Sequence, residues 1–201
     1  MPDIINELIT KEQLKAILLR VSDERIEKYL LPLNKCLNHY NINTPLRIAH
    51  FIAQVAHESG SFRYNEEIWS NPKLNAQGVA TRGASWQLRY EGRKDLGNTE
   101  TGDGYRFRGR GLIQLTGRFN YVKYGASLGR DLTSGTNPDL VGEPELAVDA
   151  AGWFWNSRKL NTYADRDDVL RITKRINGGT NGLNDRKAFL KRAKTVFNLA
   201  Q

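Results

Sequence analysis

Glu58 stands where packing alone would place an apolar residue. In PLRIAHFIAQVAHES, residues 45–59, Ile48, Phe51, Ile52 and Val55 recur at three- and four-residue steps, and the next step along that stripe lands on Glu58. Burying an ionised carboxylate beside apolar groups is costly, so the pattern predicts a raised pKa and a neutral acid that persists toward neutral pH. A proton donor of that kind is what departure of a sugar oxygen requires. The same cleavage needs a second carboxylate, acting on water or directly on the anomeric carbon. Glu66, Glu67 and Glu91 are the nearby candidates, and spacing does not choose among them because all follow a turn at Gly60. The competing readings are a helix-end Glu58 turned to solvent and a solvated surface pair at Glu66 and Glu67.

Other chemistries fit less well. His57-Glu58 would begin a zinc-protease His-Glu-x-x-His motif, but position 61 is Ser61. His50 and His57 share a helix face without a third ligand and read as hydrogen-bonded structural residues, so no metal is expected. The segment GRGLIQLTGR lacks the spacing of a phosphate-binding loop, and its glycines are expected to let backbone approach a substrate closely. The one cysteine, Cys36, has no disulfide partner in the chain and reads as a small buried hydrophobe. No cofactor is implied.

These residues need a helical scaffold. Residues 10–20 and 22–40 carry helical apolar spacing behind the N-cap candidates Thr10 and Ser22, the second helix bent or restarted at Pro32. Thr44-Pro45 opens the helix that carries Glu58 and Gly60 ends it. Residues 61–104 read as loops and short helices, and TGDGYRFRGRGLIQLTGRFNY (101–121) as a small hairpin or an irregular loop. Further helices are expected over 119–128, 143–157, 166–177 and 184–199. The fold class is mainly α with at most a small β-hairpin. A chain of 201 residues without a Pro-, Gly- or Ser-rich divider reads as one domain, 1–201.

The formal charge is +8 and the isoelectric point near 9.6, which predicts attraction to polyanions: nucleic acid, anionic membrane or bacterial envelope polymers. Between residues 171 and 194, Arg171, Lys174, Arg175, Arg186, Lys187, Lys191, Arg192 and Lys194 face only Asp185, and Lys187, Lys191 and Lys194 are spaced to share an exposed helix face. A solvated helix face is the plainer reading of the same charges. Acidic Asp3, Glu7 and Glu12 interrupt any secretory apolar run, and no stretch has the length of a membrane span, so synthesis in the cytoplasm is expected. The basic residues are not interleaved with a stacking surface, which argues against specific nucleic-acid binding.

The blocks AHFIAQVAHESGSF (49–62), YNEE (64–67), GDGYRFRGRGLIQLTGRFNY (102–121) and RINGG (175–179) together resemble glycoside hydrolase family 19. The resemblance covers about residues 45–190, with the helices of 1–44 packed on that region, and is closest to the compact, loop-poor bacterial and phage members, many of them endolysins. It implies a lysozyme-like, two-lobed helical fold with a substrate cleft and an inverting mechanism. By motif position it implies that Glu58 is the general acid, that Glu67 is the general base and that Thr116 helps hold the attacking water. Plant members usually carry serine at the Thr116 position, and a hydroxyl is retained here. Tyr105, Gln114 and Asn120 fall at cleft-lining positions, and Asn177 and Arg186 at positions linked to substrate binding or to orienting the carboxylates. For Asn120 and Asn177 the alternative role is satisfying buried backbone groups.

The expected substrate is the glycan strand of peptidoglycan, cut at β-1,4 bonds by a monomeric endolysin. Such an enzyme would wait in the host cytoplasm, reach the wall through a holin and dock on the anionic envelope through the basic C-terminal helix. Chitin or chitooligosaccharide is the alternative substrate, and a basic nucleic-acid-binding domain the non-enzymatic one.

Overall fold

A computed structural model describes residues 5–200 apart from Arg20 and Ser70. They fall into two compact units: the residues up to Tyr64 together with those from Ala151 onward, and Asn65–Ala150.

In the first unit, α1 (Lys11–Ile17), α2 (Asp23–His39) and α3 (Pro45–Ser59) start at the expected caps, with the hydroxyls of Thr10, Ser22 and Thr44 accepting from the N–H groups of Gln13, Arg25 and Arg47. Gln13 reaches back to the Thr10 N–H and completes a capping box. The first helix is shorter than expected: Leu18 leaves helical dihedrals while buried, and Arg20, the expected end, lies outside the described residues. Helix α2 runs unbroken through Pro32 instead of restarting. Buried Tyr29, Leu33 and Leu37 hold it in place, and Pro32 neighbours exposed Lys28 and Leu31, where a carbonyl without its helical donor can reach water.

Further on, α7 (Pro144–Ser157), α9 (Val169–Asn177) and α10 (Leu183–Val196) follow the expected order, and a short helix that was not expected, α8 (Asn161–Ala164), precedes α9. Helix α7 begins in the second unit and ends in the first, where Gly152 lies so close to Cys36 Sγ and the Tyr40 ring that no Cβ fits; Cys36 is buried. Helix α10 packs along α3, whose Ile48, Phe51, Ile52 and Val55 are all buried. One expectation fails here. Lys187 and Lys191 are exposed, but Lys194 is buried and paired with Asp167, which reaches over that end of the helix from a left-handed backbone position at φ 55°. Helical spacing could not anticipate a cover supplied by a distant loop.

The second unit holds the one sheet among the described residues, β1 (Lys73–Leu74) antiparallel to β2 (Ala80–Arg82), with Lys73 opposite Arg82 and Leu74 opposite Ala80. This hairpin falls where only loops and short helices were expected. Its turn is set by Asn75, whose side-chain oxygen accepts from the N–H groups of Gln77 and Val79, and by Gly78 at φ 78°. The 101–121 segment is the irregular alternative: α5 (Asp103–Arg106), then single bridges pairing Arg110 with Glu66 and with Leu115. Helices α4 (Ser85–Leu88) and α6 (Arg118–Leu128), two short 3-10 helices (Lys94–Leu96 and Asn137–Gly142) and the start of α7 complete the unit. No helix among the described residues is long and apolar enough to cross a membrane.

Candidate active site

In the first unit, Glu58 closes helix α3 one turn after Gln54 and meets Arg186 of α10. Arg186 is 1% exposed; its Nη2 donates to Glu58 Oε1 at 2.5 Å and its Nη1 to Gln54 Oε1 at 2.7 Å. The Glu58 side chain keeps 21% of its exposure. The apolar pocket inferred from the stripe is therefore corrected: Glu58 sits in a partly exposed ion pair, because α10 lays a guanidinium against the end of α3. Oε2 takes no hydrogen bond from the described residues. The preceding residue adds a second tie to α10, His57 Nδ1 lying 2.6 Å from Asp185 Oδ2. Here Gly182 faces the His57 ring at a distance that admits no side chain.

After Glu58 the chain turns through Gly60, Ser61 and Phe62, all left-handed at φ 58°, 59° and 64°. Two non-glycine residues in that region cost of order 1–2 kcal/mol each. Burial of Phe62 against Tyr29, ring centroids 5.6 Å apart, and the Ser59 hydroxyl accepting from the Phe62 N–H offset that cost. Asn177, at the end of α9, accepts from Gly179 N–H and donates to Asn181 O, so its amide closes its own loop. The structure does not bring it to Glu58 through any hydrogen bond. His50, buried, pairs with Asp167 as a structural residue, its pKa held below the usual histidine value chiefly by burial.

The second unit gathers Glu67, Gln114, Thr116 and Asn120 around one glycine. Gly109 N–H donates to Glu67 Oε2 at 3.2 Å and Gly109 O accepts from Glu67 N–H at 2.8 Å. The other oxygen, Oε1, accepts from the amide of buried Gln87 at 3.0 Å. A Cβ on Gly109 would lie 2.7 Å from Gln114 Oε1 and 3.2 Å from Thr116 Oγ1, so this glycine lets the backbone approach the protein's own side chains. The Thr116 hydroxyl donates to Gln114 O at 2.9 Å, and Asn120 donates to Thr116 O at 2.7 Å. Gln114 itself is left-handed at φ 56°. Nearby, the Tyr90 hydroxyl pKa is pushed up to about 12, first by burial and then by the charge of Glu67. Tyr105 packs edge-on against Trp69 at 5.0 Å, with the Arg108 guanidinium 4.2 Å from its ring.

The competing carboxylates are occupied elsewhere. Glu91 accepts from the N–H groups of Gly102 and Gly104 at 2.8 and 2.9 Å, clamping the start of α5. Glu66 pairs with Arg108 and lies 3.5 Å from Arg110 Nε. Neither Glu66 nor Glu67 is a free surface group.

The fold is one shared with chitinases. Chitinase C from Streptomyces griseus superposes with a TM-score of 0.71 at 22% identity over 97% of this chain and 78% of that one. A class IV chitinase from Zea mays does so at 0.65 and 21%, over 97% and 95%. Sequence comparison carries the assignment further: the chitinase class I model of glycoside hydrolase family 19 matches residues 41–170, and the chain belongs to that family. A glycosyl hydrolase family 19 domain-containing protein of Haemophilus influenzae is 36% identical over 153 residues, 69% of this chain and 74% of the relative. An endochitinase of Arabidopsis thaliana is 37% identical over 134 residues, 66% of this chain, and the match spans only 39% of the plant protein. The protein is thus a glycoside hydrolase.

Residues that sequence reasoning missed are those that hold others. Gln54 lies four residues before Glu58 on the same helix face and was discoverable from that spacing. Gln87 is twenty positions from Glu67, and nothing local marks it as a partner.

Proposed function

We propose that this chain is an endolysin that hydrolyses β-1,4 bonds of bacterial peptidoglycan with inversion, Glu58 as general acid, Glu67 as general base and Thr116 as the hydroxyl that holds the attacking water. The observation that carries the reading is the grouping of Glu67 and Thr116 about Gly109. Thr116 has committed its proton to Gln114 O, so toward a water it acts as an acceptor. A water giving one proton toward Glu67 and the other to Thr116 keeps a lone pair for the anomeric carbon, while Glu58 protonates the leaving oxygen. An inverting pair requires its carboxyl groups roughly 6.5–9.5 Å apart, a separation that a complex with an uncleaved oligosaccharide would measure.

Peptidoglycan is preferred to chitin because chitin is neutral and this chain carries +8, with Arg171, Lys174, Arg175, Lys187 and Lys191 exposed. In this reading a single catalytic domain acts as a monomer, is held in the host cytoplasm until a holin admits it to the wall, and docks on the anionic envelope through that basic surface. The names of the plant relatives favour a second reading, an endochitinase acting on chitin or chitooligosaccharides. Mass spectrometry of fragments from purified peptidoglycan and from chitin tests both. Products with a new reducing amino sugar are expected from peptidoglycan. Intact glycan strands beside cleaved chitin would transfer the assignment to chitin.

A further inference from the structure

The second unit contains a cavity of about 260 Å³ between the β-hairpin, α5 and the 135–139 loop, joined to the Glu67 cluster through Arg108 and Arg110, which flank Gly109. Three guanidinium groups line it, those of Arg106, Arg108 and Arg110, together with Tyr105 and Asp139. Two of the cations are neutralised. Arg110 is buried and pairs with Asp139 at 2.5 Å and with Glu66 at 3.5 Å, and Arg108 pairs with Glu66 and lies 3.8 Å from Asp139.

Arg106 is the surplus charge. No carboxylate among the described residues pairs with it. Its Nη2 donates to the carbonyl of Gly135 at 3.2 Å, and its Nε is buried without a hydrogen-bond partner. The buried Nε is out of a ligand's reach, but Nη1 has no hydrogen-bond partner among the described residues and Nη2 only the Gly135 carbonyl, and the two Nη groups of a planar guanidinium are shaped to take a carboxylate through two parallel bonds. The hydroxyl of Thr101 and the amide of Gln77, also lining the cavity, offer polar contacts to whatever the carboxylate is attached to.

We propose that the Arg106 cavity is an accessory site for a carboxylate borne on a side branch of the glycan substrate, which in peptidoglycan is the lactyl-peptide stem of the muramic acid residue. This rests on the peptidoglycan reading above and deepens it: a neutral chitin chain has no group to fill the site. The occupant supplies the negative charge that the three arginines, two carboxylates and surrounding dipoles leave uncompensated. Glu66 and Asp139 stay on the arginines that already hold them, so binding breaks no existing pair.

The test measures binding of a soluble muropeptide to the full chain, against the same muropeptide with its carboxyls amidated, for wild type, Arg106→Gln and Arg106→Lys. Turnover on peptidoglycan and on a neutral chitooligosaccharide is followed in parallel, with thermal unfolding as the folding control. Wild type is expected to bind the charged muropeptide about tenfold more tightly than the amidated one. Arg106→Gln should abolish that preference and lower kcat/KM on peptidoglycan about tenfold while sparing the chitooligosaccharide. Arg106→Lys, which keeps the charge and loses the fork, should fall between them. Equal binding of the two muropeptides by wild type, or equal losses on both substrates in Arg106→Gln, would overturn the accessory site and leave peptidoglycan hydrolysis standing. A wild type that cuts the chitooligosaccharide and leaves peptidoglycan intact would overturn the substrate reading and the site together.

Discussion

Replacing Glu58 with glutamine separates chemistry from stability in a way the ion pair makes quantitative. The substitution keeps the shape and one acceptor oxygen but removes the carboxyl group that would deliver the proton and that pairs with Arg186. Loss of a general acid lowers turnover by about 10²–10⁴-fold. The stability effect follows from burial: Arg186 is 1% exposed, and stripping a partner from a buried ion pair costs about 3–5 kcal/mol. Two features reduce that figure. The glutamine carbonyl can still accept from Nη2, and Glu58 is 21% exposed, so water can solvate part of the gap. A loss of about 2 kcal/mol remains, and for a chain of this size it lowers the unfolding midpoint by about 4–8 °C. Differential scanning calorimetry and a turbidity assay on peptidoglycan measure the two effects. In an Arg186→Met background the same Glu58→Gln change should cost less, because no buried cation is left behind. Collapse of activity with a midpoint within about 1 °C of wild type would refute the electrostatic argument, and retained activity would refute the assignment of the acid.

The other two carboxylates should separate by activity, not by stability. Glu67→Gln and Glu91→Gln each weaken two hydrogen bonds to a charged acceptor and should each cost about 1–3 kcal/mol, but Glu67→Gln should also reduce turnover per folded molecule by about 10²-fold or more, whereas Glu91→Gln should leave far more activity; denaturant unfolding beside initial rates decides. His50 has its folded-state pKa depressed by burial below the unfolded value near 6.5, so the folded protein binds fewer protons and its contribution to stability is present above about pH 6.5 and lost as pH falls toward the folded pKa. The midpoint should therefore fall between pH 7.5 and 5.5, with a shallower slope in His50→Gln, measured by thermal melts across pH. Reversing Lys187 and Lys191 to glutamate should weaken binding to whole envelopes and flatten its salt dependence while sparing soluble oligosaccharides; pull-down across a salt series checks it.

Much of the helical framework was legible because its signals are local. Thr10, Ser22 and Thr44 cap the helices they precede, Gly60 ends α3 in the left-handed conformation, and the apolar stripe of α3 is the buried stripe. What the stripe could not reveal is who meets its last member. The partner of Glu58 is Arg186, 128 positions along the chain, and the contact exists only because α10 packs on α3. The same limit explains Lys194, exposed by spacing and buried in fact. The hairpin at 73–82 was missed for a different reason: its strands are two and three residues long and mostly exposed, so no alternation of apolar and polar residues announces them. Within GRGLIQLTGR the motif identified the neighbourhood, but the requirement for glycine at 109 comes from side chains five and seven residues further on.

Thr116 offers the sharpest test of how water is held, because its hydroxyl proton is already spent. Donating to Gln114 O at 2.9 Å leaves the oxygen lone pairs as its only offer to a water, and Glu67, when ionised, likewise only accepts. A water between two acceptors turns both of its O–H bonds toward them and presents a lone pair outward, the orientation an attack on the anomeric carbon needs. The contribution of Thr116 is then that of one hydrogen bond that fixes the nucleophile, about 1–1.5 kcal/mol and so about tenfold in rate. Thr116→Ser keeps the donor to Gln114 O and the acceptor to water and should stay within about twofold of wild type. Thr116→Val, nearly the same shape, has neither; it should lose about tenfold or more in kcat with KM little changed, because the water and not the sugar is misplaced. Equal rates for Thr116→Val and Thr116→Ser would remove Thr116 from the mechanism and leave Glu67 to orient the water alone.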